Sequence, residues 1–345
     1  MKKVIFSLLA ITIYAANAQD IHFSQTAQTP LLINPGAAGV YDGWERVIVN
    51  HRNQWLGAGT QFMTTSVAAD ANFGKSRNND KAHLGLGVLF FNDIGGDARF
   101  GAQSGAVTVS GILPMGGSGH ILSAGIQGGM GNRSADFSNL VFSSQWNGTS
   151  FDQTLGTGEE NGTNFLYIDA SAGIYYTFDG GKSGFKRNDD FKFQLGFAGF
   201  HLNRPMLRYT TVDGDRMYRK FVAHASVVSD IQNTNISVDG SVAQFFQGPH
   251  SETLLGAMLR YRFVNGTKIT GLSQDAYVGV GAYYRLKDAV IPSVMINWNG
   301  FQFGISYDVT VSSMKRAYTG GSLEFSLSYT NMSHALFKSR TKRRR

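Results

Sequence analysis

The chain has 345 residues, with 42 glycines, 12% aromatic residues, six prolines and no cysteine, and its formal net charge is +7. The missing cysteine excludes disulfides, zinc-thiolate sites, iron–sulfur clusters and a lipid anchor on an N-terminal cysteine. Two of the 31 basic residues lie in the first three positions and six (Lys338, Arg340, Lys342, Arg343, Arg344, Arg345) in the last eight, leaving 23 against 24 acidic residues in the body; a nucleic-acid groove needs its cations spread over one face, so no nucleic-acid partner is expected.

Residues 1–18 read as a signal peptide. Lys2 and Lys3 make a basic start, Val4 to Ala16 is mostly apolar, and Ala16-Asn17-Ala18 is a small-residue cleavage site. The apolar run is too short to cross a bilayer as a helix. Gln19 then opens the mature chain. Residues 19–43 follow with neither a strand alternation nor a long amphipathic face. Within them Asn34-Pro35 offers a capping side chain and a proline at the first position of a single helical turn, and Gly39 suits its end.

From residue 44 to 331 the pattern has period two. Fourteen strands are predicted near 44–51, 62–73, 82–92, 99–113, 119–131, 165–179, 190–202, 220–231, 234–247, 252–264, 276–287, 289–298, 300–312 and 319–331. In the last, Leu323, Phe325, Leu327 and Tyr329 alternate with Ser322, Glu324, Ser326 and Ser328. A soluble β-sandwich or solenoid is the competing architecture. Strand length favours a membrane barrel, since about 9–11 tilted residues cross a bilayer. So do the charges in mid-strand, Asp169, Lys192, Asp239, Arg260, Arg262, Arg285 and Asp308, which suit a polar lumen with the apolar face outward. Glycines inside strands weaken them unless a neighbouring group needs the space. The expected fold is therefore all-β, a 14-stranded antiparallel transmembrane β-barrel, an even count as bacterial barrels require.

With both termini in the periplasm, short connections follow the even strands: Pro114 to Ser118, Gln232-Asn233 and the two-residue Asn299-Gly300 turn. The longest, about 132–164 and 203–219, follow strands five and seven and face outward. Phe137, Phe142, Trp146 and Phe151 give the first of these a composition suited to a partner surface. On the final strand, Phe325→Arg on the lipid face is expected to cost about 2–4 kcal/mol, with Ser326→Arg milder. Residues 332–345 form a basic tail.

Signatures of catalysis fail individually. Gly181-Lys182-Ser183 resembles the end of a phosphate-binding loop, but Tyr176 stands where its first glycine belongs. No serine has glycine at both −2 and +2, so the nucleophile elbow is absent. The histidines His22, His51, His83, His120, His201, His224, His250 and His334 form no HxxxH pair. Asp213-Gly214-Asp215 and Asp93 to Asp97 read as solvated loops without a complete calcium-ligand set. No enzyme activity, metal or cofactor is expected.

The opening stretch carries a resemblance. Gln19-Asp20-Ile21-His22-Phe23-Ser24-Gln25, then Asn34-Pro35, Gly39, Tyr41-Asp42-Gly43 and Asn50-His51-Arg52-Asn53-Gln54-Trp55 resemble the start of the PorP/SprF family. His201-Leu202-Asn203-Arg204-Pro205, Ser306-Tyr307-Asp308 and Gly320-Gly321-Ser322 continue it, while Gly36-Ala37-Ala38 departs from the Ala-Leu-Ala more usual there. The resemblance implies an outer-membrane, non-enzymatic barrel of type IX secretion and gliding motility. Its implied partners are outer-membrane lipid, a secreted surface adhesin or other type IX substrate, a periplasmic ring lipoprotein and a peptidoglycan-binding protein. The turn at Asn34-Pro35 also looks like the N-terminal hatch of FadL-type channels, so a channel for a hydrophobic or small polar solute is the alternative. A fourteen-stranded polar lumen leaves a channel unless filled. Residues 19–43 are expected to plug it, through His22, Phe23, Ser24, Gln25, Asn34 and Pro35 against Asp239, Arg260, Arg262 and Asp308. Phe137, Phe142, Trp146, Phe151, Arg204 and Pro205 are the candidate partner contacts, and the six tail cations a candidate periplasmic tether.

Overall fold

A computed structural model describes residues 20–54, 62–76, 81–116, 119–136, 140–157, 164–180, 191–207, 216–264, 276–312 and 321–332. The signal peptide and the tail cations Lys338 to Arg345 lie outside these residues, as do Phe137, the Gly181-Lys182-Ser183 turn and Asp213-Gly214-Asp215.

Alternating sequence becomes strand in all fourteen places. They are β1 (Glu45–Gln54), β2 (Phe62–Phe73), β3 (His83–Gly95), β4 (Phe100–Met115), β5 (His120–Ser134), β6 (Asn164–Asp179), β7 (Phe191–Phe200), β8 (Lys220–Asp230), β9 (Ile236–Gln247), β10 (His250–Val264), β11 (Ala276–Arg285), β12 (Ala289–Trp298), β13 (Phe301–Thr310) and β14 (Ser322–Asn331). Each pairs antiparallel with the next, and β14 returns to β1 from Glu45↔Asn331 to Gln54↔Ser322, closing the barrel. Closure removes every sheet edge, which a wall in hydrocarbon requires.

The pleat sorts the two faces. On β14, Leu327 and Tyr329 are 48% and 43% exposed, whereas Ser322, Glu324, Ser326 and Ser328 are buried. Val107, Ile126, Leu166, Ile168 and Leu259 continue the exposed apolar belt on other strands. Asn299 and Gly300 join β12 to β13 with φ of 51° and 84°, the paired left-handed geometry of a two-residue hairpin. Pro114, expected in a turn, instead sits in β4 opposite Ile121. The β5–β6 and β7–β8 connections, 135–163 and 201–219, are the two longest and share one end of the barrel. We call it the long-loop end; Glu45 and Asn331 lie at the other, the terminal end. Connections as short as 248–249 and 286–288 also occur at the long-loop end, so the asymmetry rests on two loops.

Residues 20–44 run along the inner face of the wall. They form a 3-10 turn at Thr26–Gln28, a short helix α1 at Pro30–Ile33 and a second 3-10 turn at Pro35–Ala37. The second is the turn read from Asn34-Pro35: the Asn34 side chain accepts from the Gly36 N–H at 2.8 Å. The helix α1 was not foreseen, although Pro30 occupies its first position as Pro35 does in the next turn.

The interior is less polar than the alternation implies. Ile33 packs into a buried cluster with Phe200, Val222, Phe245, Leu254 and Ile291, all on inward faces of β7 to β12. Leu31 packs with Ala38, Ala68 and Leu89 on the β2–β3 side. Ser306 and Asp308 on β13 and Ser322, Glu324, Ser326 and Ser328 on β14 line the inner face instead, beside Arg52 of β1 and Arg285 of β11.

Candidate functional site

The inner wall and residues 20–44 form one hydrogen-bonded unit, and the segment's direction can be read from its partners. Asp20 lies at the long-loop end. Its carboxylate accepts from His201 Nε2 at 2.6 Å, with Lys220 and Arg133 each 3.8 Å away. The other ring nitrogen of His201, just past β7, lies 2.9 Å from Asp169. Burial lowers the pKa of His201, but the Asp20 and Asp169 carboxylates outweigh it and lift it to about 9. Arg52 donates to the His22 carbonyl at 2.8 Å.

A charged cluster holds the next turn. The backbone N–H groups of Ser24 and Gln25 donate to the two oxygens of Glu324, at 2.9 and 2.8 Å. Asp308 accepts from Arg52 at 3.1 Å and Arg285 at 2.9 Å, and Arg285 also donates to the Ser24 hydroxyl at 2.8 Å. Glu324, Asp308, Arg52 and Ser24 are all at most 2% exposed. Unpaired charges so far from water are costly, and here each carboxylate meets a guanidinium or backbone donors.

Lower in the lumen backbone contact replaces charge. Asn50 donates to the Gln28 carbonyl at 3.0 Å. Asn34 donates to the Ile174 carbonyl at 2.8 Å and lies 3.3 Å from His224 Nε2. Ser110 donates to the Ala38 carbonyl at 2.6 Å, and the Gly39 N–H donates to Asp70 at 2.9 Å. Four wall glycines make this approach possible. A Cβ at Gly85 would strike the Ala38 carbonyl, at Gly125 the Pro35 carbonyl, at Gly173 the Asn34 side chain, and at Gly196 the Asn34 and His224 side chains. These are the neighbours that strand glycines need.

At the terminal end Asp70 forms a bidentate pair with Arg46, at 2.9 and 2.7 Å, and Tyr41 donates to the Asp70 carbonyl at 2.8 Å. Lys192 bridges Asp42 and Asp179, at 3.0 and 3.1 Å. The Trp44 N–H then donates to the Asn331 carbonyl, entering the wall. A cavity of about 400 Å³ remains beside the segment here, lined among others by Tyr41, Lys192, His224, Arg260, Tyr277 and Tyr283.

The residues anticipated from sequence are thus placed unevenly. Ser24 bonds to Asp308, whereas Gln25 and Asn34 find other partners on the wall; Phe23 and Pro35 are buried in the segment, and His22 lies 3.7 Å from Glu252. Arg260 instead pairs with Asp239 on the adjacent strand and stacks over Tyr277. Arg262 pairs with Asp230 at 3.0 Å. These arginines and Asp239 belong to wall pairs near the terminal end, because adjacent inward positions on neighbouring strands satisfy each other first. In the β5–β6 loop Trp146 and Phe151 pack edge to face at 5.1 Å and remain about half exposed, and Phe142 accepts on its backbone carbonyl from Gln145. Arg204 is exposed with φ 50°, and Pro205 is buried beneath it. Asp93, suggested as loop, lies in β3 and accepts from Thr64.

The sequence does not single out Glu324, Arg52, Arg285 and His201 as partners of the segment, nor Asp20 as one of its own contacts. Glu324 was the visible signal, a lone carboxylate among serines on its strand face. Among the described residues no group of His, Asp and Glu side chains could hold a metal ion. The arrangement binds and orients polypeptide backbone.

A family model described as "Type IX secretion system membrane protein PorP/SprF" matches residues 15–329. Among solved structures, the chain is similar to a TodX monoaromatic hydrocarbon channel mutant (9% identity, 89% of this chain and 94% of that one, TM-score 0.42). It is likewise similar to Omp33 of Acinetobacter baumannii (9%, 84% and 98%, 0.41) and to the KdgM porin (8%, 83% and 98%, 0.37). No curated protein matches it.

Proposed function

Because this chain belongs to the PorP/SprF family of type IX secretion membrane proteins, we propose that it is a non-enzymatic outer-membrane barrel that assists secretion or surface anchoring of an exported adhesin. Residues 20–44 act as its plug. The observation that carries this reading is the double hydrogen bond from Ser24 and Gln25 to buried Glu324, continued by wall contacts down to Gly39. The exposed Trp146 and Phe151 supply the rigid aromatic surface on which a protein partner docks. The basic tail, leaving β14 at the terminal end, serves as the contact to acidic periplasmic partners, with a salt sensitivity set by screening.

The test is a double variant, Trp146→Ser with Phe151→Ser, in cells that carry the adhesin. Surface display of the adhesin falls while the barrel still assembles and heat-modifies on gels. Unchanged display, with altered uptake of a small solute, supports the second reading instead. That reading, a FadL-like channel, is favoured by the apolar inner surface around Ile33. Deleting residues 22–39 tests the plug itself: a plugged barrel gains single-channel conductance, and persistent near-zero conductance overturns the plug.

A further inference from the structure

We infer that the plug is threaded with its Asp20 end at the long-loop rim, so that the docking surface for the exported partner includes this end of the segment. The inference rests on the docking function proposed above; the path of the segment does not.

The path follows from its partners. Asp20 is held by His201, Lys220 and Arg133, and its N–H donates to Gln247; His201, Lys220 and Gln247 lie where β7 ends, β8 starts and β9 ends. Trp44, twenty-four residues later, bonds to Asn331 and Asn72 at the opposite end. The segment therefore traverses the barrel, with Asp20 at the rim that bears the β5–β6 and β7–β8 loops. Asp20 sits there beside a cluster built from β5, β6, β8 and the β7–β8 loop.

This direction has a mechanical consequence. The segment is continuous with β1 at the terminal end, so it can vacate the lumen only by drawing Asp20 down through the barrel. The Asp20 cluster is the first contact to break, and Asp169 on β6 holds His201 toward it at 2.9 Å. A polypeptide seated on the rim covers this end and keeps the plug in place.

The native chain has no cysteine, so single thiols report position without background. One cysteine is inserted between Gln19 and Asp20; the comparators are Thr149→Cys in the β5–β6 loop and Gln232→Cys in the β8–β9 turn. Intact cells are treated with a membrane-impermeant maleimide, and the mature N-terminus of each variant is verified by mass spectrometry. Labelling of the inserted thiol together with Thr149→Cys, with Gln232→Cys reacting only after permeabilisation, is the expected result. A labelled loop with an unlabelled N-terminal thiol overturns the path. Should Gln232→Cys label on intact cells and both others not, the outward orientation used for the proposed function fails while the path stands. Co-production of the exported adhesin is expected to protect the N-terminal thiol; equal labelling with and without it removes the N-terminal end from the docking surface.

Discussion

The two halves of the N-terminal segment are seated by opposite means. Around Ser24 and Gln25 the wall supplies formal charges, Glu324, Asp308, Arg52 and Arg285, that reach inward to meet the segment. Around Asn34 to Gly39 the wall withdraws, and glycines at 85, 125, 173 and 196 let the backbones approach closely. Both answer one need, since a buried irregular peptide must find partners for its N–H and C=O groups. The charged half depends on a few long side chains in a network, and the glycine half on the absence of side chains. The first is sensitive to truncation and the second to enlargement.

Asp308→Ala should have the largest effect. It leaves buried Arg52 without its carboxylate and takes one of three carboxylates from Arg285, and breaking a buried pair in this way costs about 3–5 kcal/mol. Denaturant unfolding in detergent micelles measures it, and a loss as small as that of an exposed surface change would place the charge network outside the stability of the molecule. Leu327→Arg is the wall's own control, expected to cost about 2–4 kcal/mol near the membrane midplane without unseating the segment. Ser326→Arg is no longer the milder comparator that the alternation suggests: Ser326 is 1% exposed and donates to Gln25 at 2.8 Å, so an arginine there collides with the segment.

Gly173→Val tests the glycine half. Its new Cβ meets the Asn34 side chain, and overpacking of this kind costs about 1–3 kcal/mol. Increased protease cleavage within residues 20–44, with the barrel intact, would mark the segment as displaced. Asn34→Ala removes a cap and a bond to the wall, for about 0.5–2 kcal/mol. If enlargement and truncation disturb the two halves alike, the contrast between them collapses.

A pH dependence at His201 reads the Asp20 end of the segment separately. Its pKa is raised to about 9 by Asp20 and Asp169. A group with a raised folded-state pKa contributes its stability fully below the unfolded value, about 6.5, and loses it as pH rises through the folded value. Thermal stability should therefore fall between about pH 7 and 10, and His201→Gln should flatten that slope.

The wall was legible because period-two alternation has one structural meaning over ten residues, and the Asn299-Gly300 dipeptide has one turn geometry. Asn34-Pro35 was legible for the same reason: cap and proline act locally. The network was not. Arg52, Asp308 and Glu324 come from β1, β13 and β14, and sequence places their charges on an inward face without saying which meet. The apolar patch around Ile33 did leave a trace. In β12, Val290, Ile291, Val294, Met295 and Ile296 are apolar on both faces, as in strands covered on both sides. A uniformly polar lumen was therefore too simple.

The seam of the barrel gives the Glu324 contact a temporal meaning. Ten residues of β1 meet β14, the last strand to be synthesised, and Glu324 on that strand faces the first turn of the segment. Most of the segment's lower contacts, at Asp70, Gly85, Ser110, Gly125 and Gly173, lie on β2 to β6, which precede it by more than a hundred residues. The early strands can thus gather around the peptide like staves around a mandrel, while Glu324 arrives only as the ring shuts. The seam and the clamp on Ser24 and Gln25 both need β14 in place, so a barrel closed without its segment leaves Glu324 without those two donors.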